Sequence, residues 1–233
     1  MPVFFDVGAC AGNRFDEELT NDPNATVVAF EPDPRLADVI RKKYAPFPNY
    51  QVVQAAVSNY TGKANFNCAF TGDFGTGSIC SFADGLDKSW PGREDLASYD
   101  HVEVDVIRLD EFCFKNRIQQ IDYLHVDAQG HDLEVLMGLG DVLSIVKEGC
   151  VEMPLNDSVK LYKEQKYDVS DAYFWLVGRG FDIKYMDMND PQGNEINIFF
   201  KRLPNHVPVA VRNPHDKTDL RVMQISNKYR QVS

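Results

Sequence analysis

An acid and two glycines near the start of the chain have the spacing of a cofactor-binding turn. Asp6 follows an apolar run, and Gly8 and Gly12 come shortly after it within the segment DVGACAGN. A turn that holds a dinucleotide pyrophosphate uses the pattern G-x-G-x-x-G and presents backbone N–H groups to the phosphates. Here Cys10 takes the place of a middle glycine, and the Asp6 carboxylate would repel a phosphate. The pattern therefore disfavours a pyrophosphate.

A cationic cofactor suits the same turn. S-adenosylmethionine has no phosphate, and a carboxylate attracts its ammonium and sulfonium groups. Glycines in such a turn let the backbone approach the cofactor closely. We therefore predict that four residues of this turn bind S-adenosylmethionine: Asp6, Gly8, Gly12 and Asn13.

Glu31 is a second acid at an informative position. It lies 19 residues beyond Gly12, directly after the apolar run at 26–30. An acid at the end of a second strand accepts hydrogen bonds from ribose hydroxyls, which dinucleotides and S-adenosylmethionine both carry. The alternative for Glu31 is a helix cap before Pro32. Ala56 follows the third apolar run, where an adenine ring would lie, and is also a predicted cofactor residue.

Three polar residues at later strand ends are candidates for the acceptor site. Asp127 directly follows the apolar run at 121–126, His131 comes four residues later, and Glu152 lies in the run at 149–153. Ligands of open α/β sheets bind beyond the carboxyl ends of the strands. An attacking alcohol must lose a proton, so Asp127 and His131 are the predicted catalytic residues.

Each of these acids and bases has a structural alternative. Asp127 could contact only the cofactor or cap a helix, His131 could be a surface histidine, and Glu152 could pair with a polar neighbour. Asp127 and Glu152 also offer the hard oxygen ligands that Mg²⁺ or Mn²⁺ prefers, and such an ion would lower the pKa of an acceptor hydroxyl. Metal dependence therefore stays open, and no residue is assigned as a metal ligand.

Alternating strand and helix patterns must hold these residues. This alternation predicts an α/β fold with a mostly parallel sheet. The predicted strands are 3–7, 26–30, 50–55, 102–108, 121–126 and 149–153, with a closing antiparallel pair near Tyr185 and at 196–201. The predicted helices are 13–20, 35–44, 109–116, 130–139 and 171–179. Residues 61–100, rich in glycine and aromatics, form an insertion that is either a binding lid or an irregular extension.

Charge and composition restrict the class of protein. The net charge is −11, and residues 201–233 carry seven Lys/Arg against two Asp/Glu, so the preceding 200 residues carry −16. An acidic body disfavours nucleic acid as a partner. No apolar run is long enough for a membrane span, and no signal peptide is visible. Five scattered cysteines without a C-x-x-C pair predict free thiols and a cytoplasmic location. We expect one domain at 1–200 and a basic tail at 201–233.

Two segments resemble the FkbM-type S-adenosylmethionine-dependent methyltransferases. The residues FDVGA, with Gly12-Asn13, resemble the opening motif of that family. The segment IDYLHVDAQGHDLEVLMG, which ends at Gly138, resembles its pattern IDxLKIDVEGxExxVLxG. Gln129 stands where the family usually has Glu, and His125 where it often has Lys. Weaker support comes from residues 28–32 and 56–59.

This resemblance covers roughly residues 3–200 and implies a fold and an activity. The fold is the Rossmann-like class I methyltransferase fold, with a seven-stranded sheet and a closing antiparallel hairpin. The activity is O-methylation, often of a sugar or another hydroxylated small molecule, so the expected partner is a sugar or glycan acceptor. Two alternatives stay open: a non-catalytic binding module, favoured by Gln129, and a less favoured NAD-dependent oxidoreductase. The oligomeric state, and whether the chain is one domain of a longer polypeptide, also stay open.

Overall fold

The computed structural model describes residues 1–69, 74–86, 90–92, 99–189 and 194–204. The strands are β1 Val3–Val7, β2 Thr26–Phe30, β3 Tyr50–Val53, β4 Ala56–Val57, β5 Gly62–Ala69, β6 Tyr99–Ile107, β7 Ile121–Val126, β8 Val146–Pro154, β9 Phe181–Met188 and β10 Glu195–Arg202. The helices are α1 Asp16–Asn21, α2 Pro34–Lys43, α3 Leu109–Asn116, α4 Asp132–Met137 and α5 Val169–Gly178. Short 3-10 helices span Phe74–Thr76 and Gly140–Ile145.

Seven strands form the central sheet in the order β3-β2-β1-β7-β8-β10-β9. The first five strands in that order run parallel, and β10 is antiparallel to both β8 and β9. The structure thus confirms the predicted mostly parallel sheet with a closing antiparallel hairpin. The carboxyl ends of β1, β2 and β7 meet at one edge, which is where the predicted site residues lie.

Apolar side chains cover both faces of the sheet. Because side chains alternate along a strand, Phe5 and Val7 of β1 face the larger core, which helices α3, α4 and α5 complete with Leu109, Leu136 and Trp175. The opposite face packs against α1 and α2 through a second cluster. Its buried members are Ala9, Phe15, Leu19, Val27, Ala29, Ile40 and Tyr44.

The insertion after β3 builds a second, three-stranded sheet. Its order is β4-β6-β5, with β5 and β6 antiparallel and β4 parallel to β6. A small cluster of Cys80, Trp90, Leu161 and Tyr162 packs the described part of the insertion against residues that follow β8. Residues 70–73, 87–89 and 93–98, which belong to the predicted insertion, lie outside the described residues.

Two predicted helices are shorter than expected. Helix α1 begins at Asp16 rather than at residue 13, because the chain from Gly8 to Gly12 turns through positive φ angles. Helix α4 spans Asp132–Met137 instead of 130–139, since Gln129 and Gly130 before it have φ angles of +49° and +96°. Strand β8, by contrast, is longer than the predicted 149–153.

Most of the predicted basic tail, residues 205–233, lies outside the described residues. The proposed division at residue 200 therefore stays a prediction. Among the helices that the structure describes, none has the length and apolarity to cross a membrane.

Candidate active site

The turn after β1 is held by close packing on both sides. The N–H groups of Gly8 and Ala9 donate to the Phe30 carbonyl at 3.0 and 3.1 Å. Gly8 has a φ of +78°, and a Cβ there would lie 1.8 Å from the Asp127 carbonyl oxygen. A Cβ on Gly12 would lie 2.9 Å from Ile40 Cγ2. Both glycines thus let the turn pack against neighbouring chain segments.

Glu31 closes this turn from the end of β2. Its Oε2 accepts the Cys10 N–H at 2.8 Å, and its Oε1 accepts the Asp33 N–H at 2.8 Å. The side chain is buried, and this burial raises the pKa of Glu31 to about 8, although the two N–H donors act to lower it. The carboxyl therefore lies at the bottom of a cleft with its donors on the protein side.

A pocket opens above Glu31 at the carboxyl edge of the sheet. Its wall between β2 and the insertion is largely apolar. None of the described lining residues is a lysine or an arginine. The residues that line it are Val7, Gly8, Cys10, Phe30, Glu31, Pro32, Asp33, Leu36, Ala55, Ala56, Val57, Phe66, Phe74, Gly75, Gly77, Ile79, Asp127, Ala128, Gln129 and His131.

Five of the eight predicted site residues line this pocket. These five are Gly8, Glu31, Ala56, Asp127 and His131. The other three, Asp6, Gly12 and Asn13, are not among the lining residues. Asn13 is exposed, and the carbonyl of the buried Gly12 accepts a hydrogen bond from the Tyr44 hydroxyl.

Asp6 faces away from the pocket. It alternates with Phe5 and Val7 along β1, so its side chain lies on the opposite face of the sheet. There it is buried, and its Oδ1 lies 2.9 Å from His125 Nδ1. Strand periodicity thus explains why an acid beside the turn is not brought into the pocket. The predicted contact between Asp6 and the cofactor stays a prediction.

His131 lies beside the segment that follows β4. Its Nδ1 is 3.0 Å from the Oγ of the buried Ser58, close in sequence to the pocket residues Ala56 and Val57. Burial lowers the pKa of His131 to about 4, so the imidazole is neutral at physiological pH. This position suits contact with the base of a nucleoside.

Asp127, directly after β7, and Glu152, within β8, form a pair of carboxyl groups. Glu152 is buried, and burial, followed by the charge of Asp127, raises its pKa well above the ordinary value. Gln129 Nε2 donates to Asp127 Oδ1 at 2.5 Å and to Glu152 Oε2 at 3.1 Å. Asn189 Nδ2 donates to the other oxygen of Glu152. Burial and the neighbouring Asp127 thus both disfavour the charged form of Glu152.

The loop between β7 and α4 owes its shape to Asp132. Its Oδ1 accepts the Ala128 N–H at 2.5 Å and its Oδ2 accepts the Gly130 N–H at 3.0 Å. Burial, and then the charge of Asp127, raises the pKa of Asp132 to about 7. These bonds fix the tight turn that carries Gln129.

Sequence reasoning missed two residues that complete this arrangement. The sequence marks Gln129 by its departure from the family pattern, and it does not mark Tyr162. The Tyr162 hydroxyl lies 2.6 Å from Gln129 Oε1 and 2.9 Å from the Thr76 carbonyl. Tyr162 lies outside every described helix and strand, so no periodic pattern marks it.

Comparison with known proteins identifies the family. Residues 6–182 match the family model of the methyltransferase FkbM domain. The chain belongs to the FkbM methyltransferase family. This membership confirms the resemblance seen in the sequence. It leaves the nicotinamide alternative without support.

One curated relative is the 2-O-methyltransferase NoeI of Sinorhizobium fredii (strain NBRC 101917 / NGR234). It is 27% identical over 156 residues, which are 61% of this chain and 59% of the relative. The chain thus spans less than two thirds of the relative that it matches.

Solved structures show weaker likeness. Aeropyrum pernix fibrillarin with bound S-adenosyl-L-methionine is 10% identical with a TM-score of 0.48, covering 85% of this chain and 65% of that one. M. capricolum TrmK with S-adenosyl-homocysteine is 11% identical with a TM-score of 0.46, covering 99% and 90%. Likeness at this level adds nothing to the assignment.

The pocket fits the cofactor of this family. A buried carboxyl, Glu31, suits ribose hydroxyls, and the apolar residues around Ala56 suit an adenine ring. The acidic lining, which also includes Asp33 and Asp127, suits a cationic sulfonium and ammonium. No group of three or more His, Cys, Asp or Glu side chains able to hold a metal occurs among the described residues.

Proposed function

We propose that this FkbM-family protein transfers the methyl group of S-adenosylmethionine to a hydroxyl oxygen, and that the acceptor is a sugar or glycan. The observation that carries the proposal is the Asp127 carboxyl at the wall of the pocket, paired with the buried carboxyl of Glu152 behind it. A carboxylate next to the cofactor can accept the proton of an attacking hydroxyl.

The positions of the lining residues along the pocket indicate which part of the cofactor each would contact. Glu31 accepts the ribose hydroxyls, and Ala56 and His131 contact the adenine. Gly8 allows the Asp127 loop to lie close against the turn after β1. We therefore assign His131 to the cofactor site and not to the acceptor site, because its hydrogen-bond partner is Ser58.

The reaction needs one base and no acid. The bound cofactor supplies an electrophilic methyl group, and the departing thioether needs no proton. Asp127 orients the acceptor hydroxyl and takes its proton. Glu152, kept neutral by burial, stabilises the Asp127 carboxylate by donating a hydrogen bond.

Two observations support a neutral hydroxylated acceptor. Carboxyl and amide groups line the pocket at Asp127 and Gln129, and such groups hydrogen-bond well to hydroxyls. The described pocket lining has no basic side chain that would attract a phosphate or carboxylate. The name of NoeI, a 2-O-methyltransferase, agrees with oxygen as the target.

Labelled-methyl transfer to a panel of glycans and other hydroxylated compounds tests this function. We expect product with at least one glycan. Asp127→Asn should lower the transfer rate by about 10²-fold or more, with a much smaller change in affinity for S-adenosylhomocysteine. Asp141→Asn, on an exposed 3-10 helix, is the matched control and should change neither quantity.

The same measurements test the alternative that the chain is a non-catalytic binding module. If S-adenosylhomocysteine binds but no compound is methylated, the chain is a cofactor-binding module. If Asp127→Asn abolishes cofactor binding, Asp127 belongs to the cofactor site and not to the acceptor site.

A further inference from the structure

The Asp127–Glu152 pair would bring two negative charges together if both carboxyl groups were ionised. A buried carboxyl such as Glu152, next to the half-buried carboxyl of Asp127, is stable only if the two share a proton, hold a cation, or receive strong hydrogen-bond donors. In the described structure a single atom, Gln129 Nε2, lies within hydrogen-bond distance of both. It is 2.5 Å from Asp127 Oδ1 and 3.1 Å from Glu152 Oε2. This is the position from which a bridging cation would contact both carboxyls.

Several bonds hold Gln129 in this position. Its Oε1 lies 2.6 Å from the Tyr162 hydroxyl, and its backbone carbonyl accepts the Ser78 Oγ hydroxyl at 2.5 Å. Its φ of +49° is uncommon for a residue other than glycine and belongs to the tight turn that follows β7. The amide nitrogen is the end that faces the carboxyls, because Asp127 Oδ1 accepts a hydrogen bond from it and an amide oxygen at that place could not donate one.

We propose that Gln129 takes the place of a divalent cation in this site, so that its amide holds Asp127 and Glu152 together and methyl transfer proceeds without a metal. The proposal rests on the proposed function, because it concerns the same acceptor site. It makes Gln129 a positioning residue that acts through Asp127.

The chemistry of the donor set supports this assignment. Mg²⁺ and Mn²⁺ need several oxygen ligands in a nearly octahedral arrangement. The Gln129 amide presents N–H groups instead of oxygen, and their partial positive charge opposes a cation. The proton on Glu152 removes a further negative charge. Asp132, whose charge also acts on Glu152, already accepts the N–H groups of Ala128 and Gly130 with its two oxygens.

Replacing the Gln129 amide nitrogen with oxygen should make this group of side chains suitable for a cation. Gln129→Glu keeps the shape of the side chain but replaces the amide nitrogen with a carboxylate oxygen. Asp127, Glu152 and the new carboxylate would then form a cluster of three acids. We expect this variant to bind one Mn²⁺ at least about tenfold more tightly than the wild-type protein.

Electron paramagnetic resonance of Mn²⁺, titrated against full-length protein with S-adenosylhomocysteine present, measures this affinity. Gln120→Glu is the matched control. Gln120 also donates to a carboxylate, Asp122 at 3.0 Å, but next to the opposite end of β7. It should show the weak Mn²⁺ binding of the wild type. Adding Glu152→Gln to Gln129→Glu should abolish the gain.

The proposal is wrong if the wild-type protein binds one Mn²⁺ as tightly as Gln129→Glu does, and if this binding is lost in Asp127→Asn. If Gln129→Glu does not fold, the comparison of wild type with Asp127→Asn decides alone: binding that depends on Asp127 refutes the proposal, and its absence supports it.

The failure of this proposal differs from the failure of the proposed function. Wild-type methyl transfer that stops in EDTA and returns with Mn²⁺ contradicts the role of Gln129 but keeps the methyltransferase. Absence of transfer to every acceptor contradicts the proposed function, whereas the Mn²⁺ affinities still report on Gln129.

Discussion

At the scale of single residues, the site is built from carboxyl groups whose protonation is set by burial. Glu31 and Glu152 both lie in surroundings that favour the neutral acid, and each receives hydrogen bonds that favour the anion. Glu31 differs from Glu152 because it accepts two backbone N–H groups and lines a pocket. A ligand that brings two hydroxyl donors to Glu31 adds to the interactions that stabilise the carboxylate.

The affinity for the cofactor product should depend on this carboxyl. Glu31→Ala removes the acceptor for the ribose hydroxyls and the partner of the Cys10 and Asp33 N–H groups. We expect the Kd for S-adenosylhomocysteine, measured by calorimetry, to rise about tenfold or more. Asp38→Ala, on the exposed side of α2, is the control and should leave the Kd unchanged. An unchanged Kd in Glu31→Ala would remove the ribose assignment.

The binding should also depend on pH in a defined direction. Below a pKa of about 8 the free protein holds Glu31 protonated, and ribose hydroxyls prefer the carboxylate, so binding must release a proton. The affinity should therefore rise with pH, by up to about tenfold per pH unit below the pKa of Glu31, and become constant above it. 5′-Methylthioadenosine is the suitable ligand, because it lacks the amino group that titrates in the full cofactor. A flat profile, or the same slope in Glu31→Gln, would contradict this account.

At the scale of elements, the sequence predicted the strands better than the turns. Apolar runs locate β1, β2 and β7 at their observed bounds, because strand burial appears directly as consecutive apolar residues. Sequence does not show on which face of the sheet a polar strand residue lies relative to a pocket. Asp6 illustrates this, because its place beside the turn predicts a contact with the cofactor, whereas its side chain reaches His125 on the other face of the sheet. The positive φ angle at Gln129, a residue other than glycine, likewise has no signature in the sequence.

Gly8 offers a test of the turn between β1 and α1. In Gly8→Ala, the new Cβ would lie 1.8 Å from the Asp127 carbonyl oxygen at a φ of +78°. We expect the free energy of unfolding, measured in urea, to fall by about 3 kcal/mol or more, because backbone must move. Gly85→Ala is the matched control, since Gly85 has a φ of +75° but no atom within 4 Å of a Cβ. It isolates the backbone strain, about 1 kcal/mol. Equal losses in both variants would show that the Asp127 contact costs nothing.

At the scale of the whole molecule, the insertion and the segment after β8 are joined to the reaction centre through one side chain. Tyr162 packs with Cys80, Trp90 and Leu161, and its hydroxyl reaches both the insertion at Thr76 and the amide of Gln129. These contacts connect parts of the chain that are 33 and 86 residues apart. Periodicity indicates local structure and cannot predict such contacts. The family resemblance predicts the fold and the cofactor but not this connection.

Tyr162→Phe tests whether that connection matters for the reaction. The variant keeps the buried ring but leaves Gln129 Oε1 and the Thr76 carbonyl without their hydroxyl partner. We expect a loss of about 1–3 kcal/mol in the free energy of unfolding. Because the amide of Gln129 is then free to turn, the methyl-transfer rate should fall while the Kd for S-adenosylhomocysteine changes little. Tyr60→Phe, at a side chain that is 39% exposed, is the control and should alter none of the three quantities. An unchanged transfer rate in a destabilised Tyr162→Phe would mean that Tyr162 only packs the insertion, and that Ser78 and the loop backbone suffice to hold Gln129 between the two carboxyls.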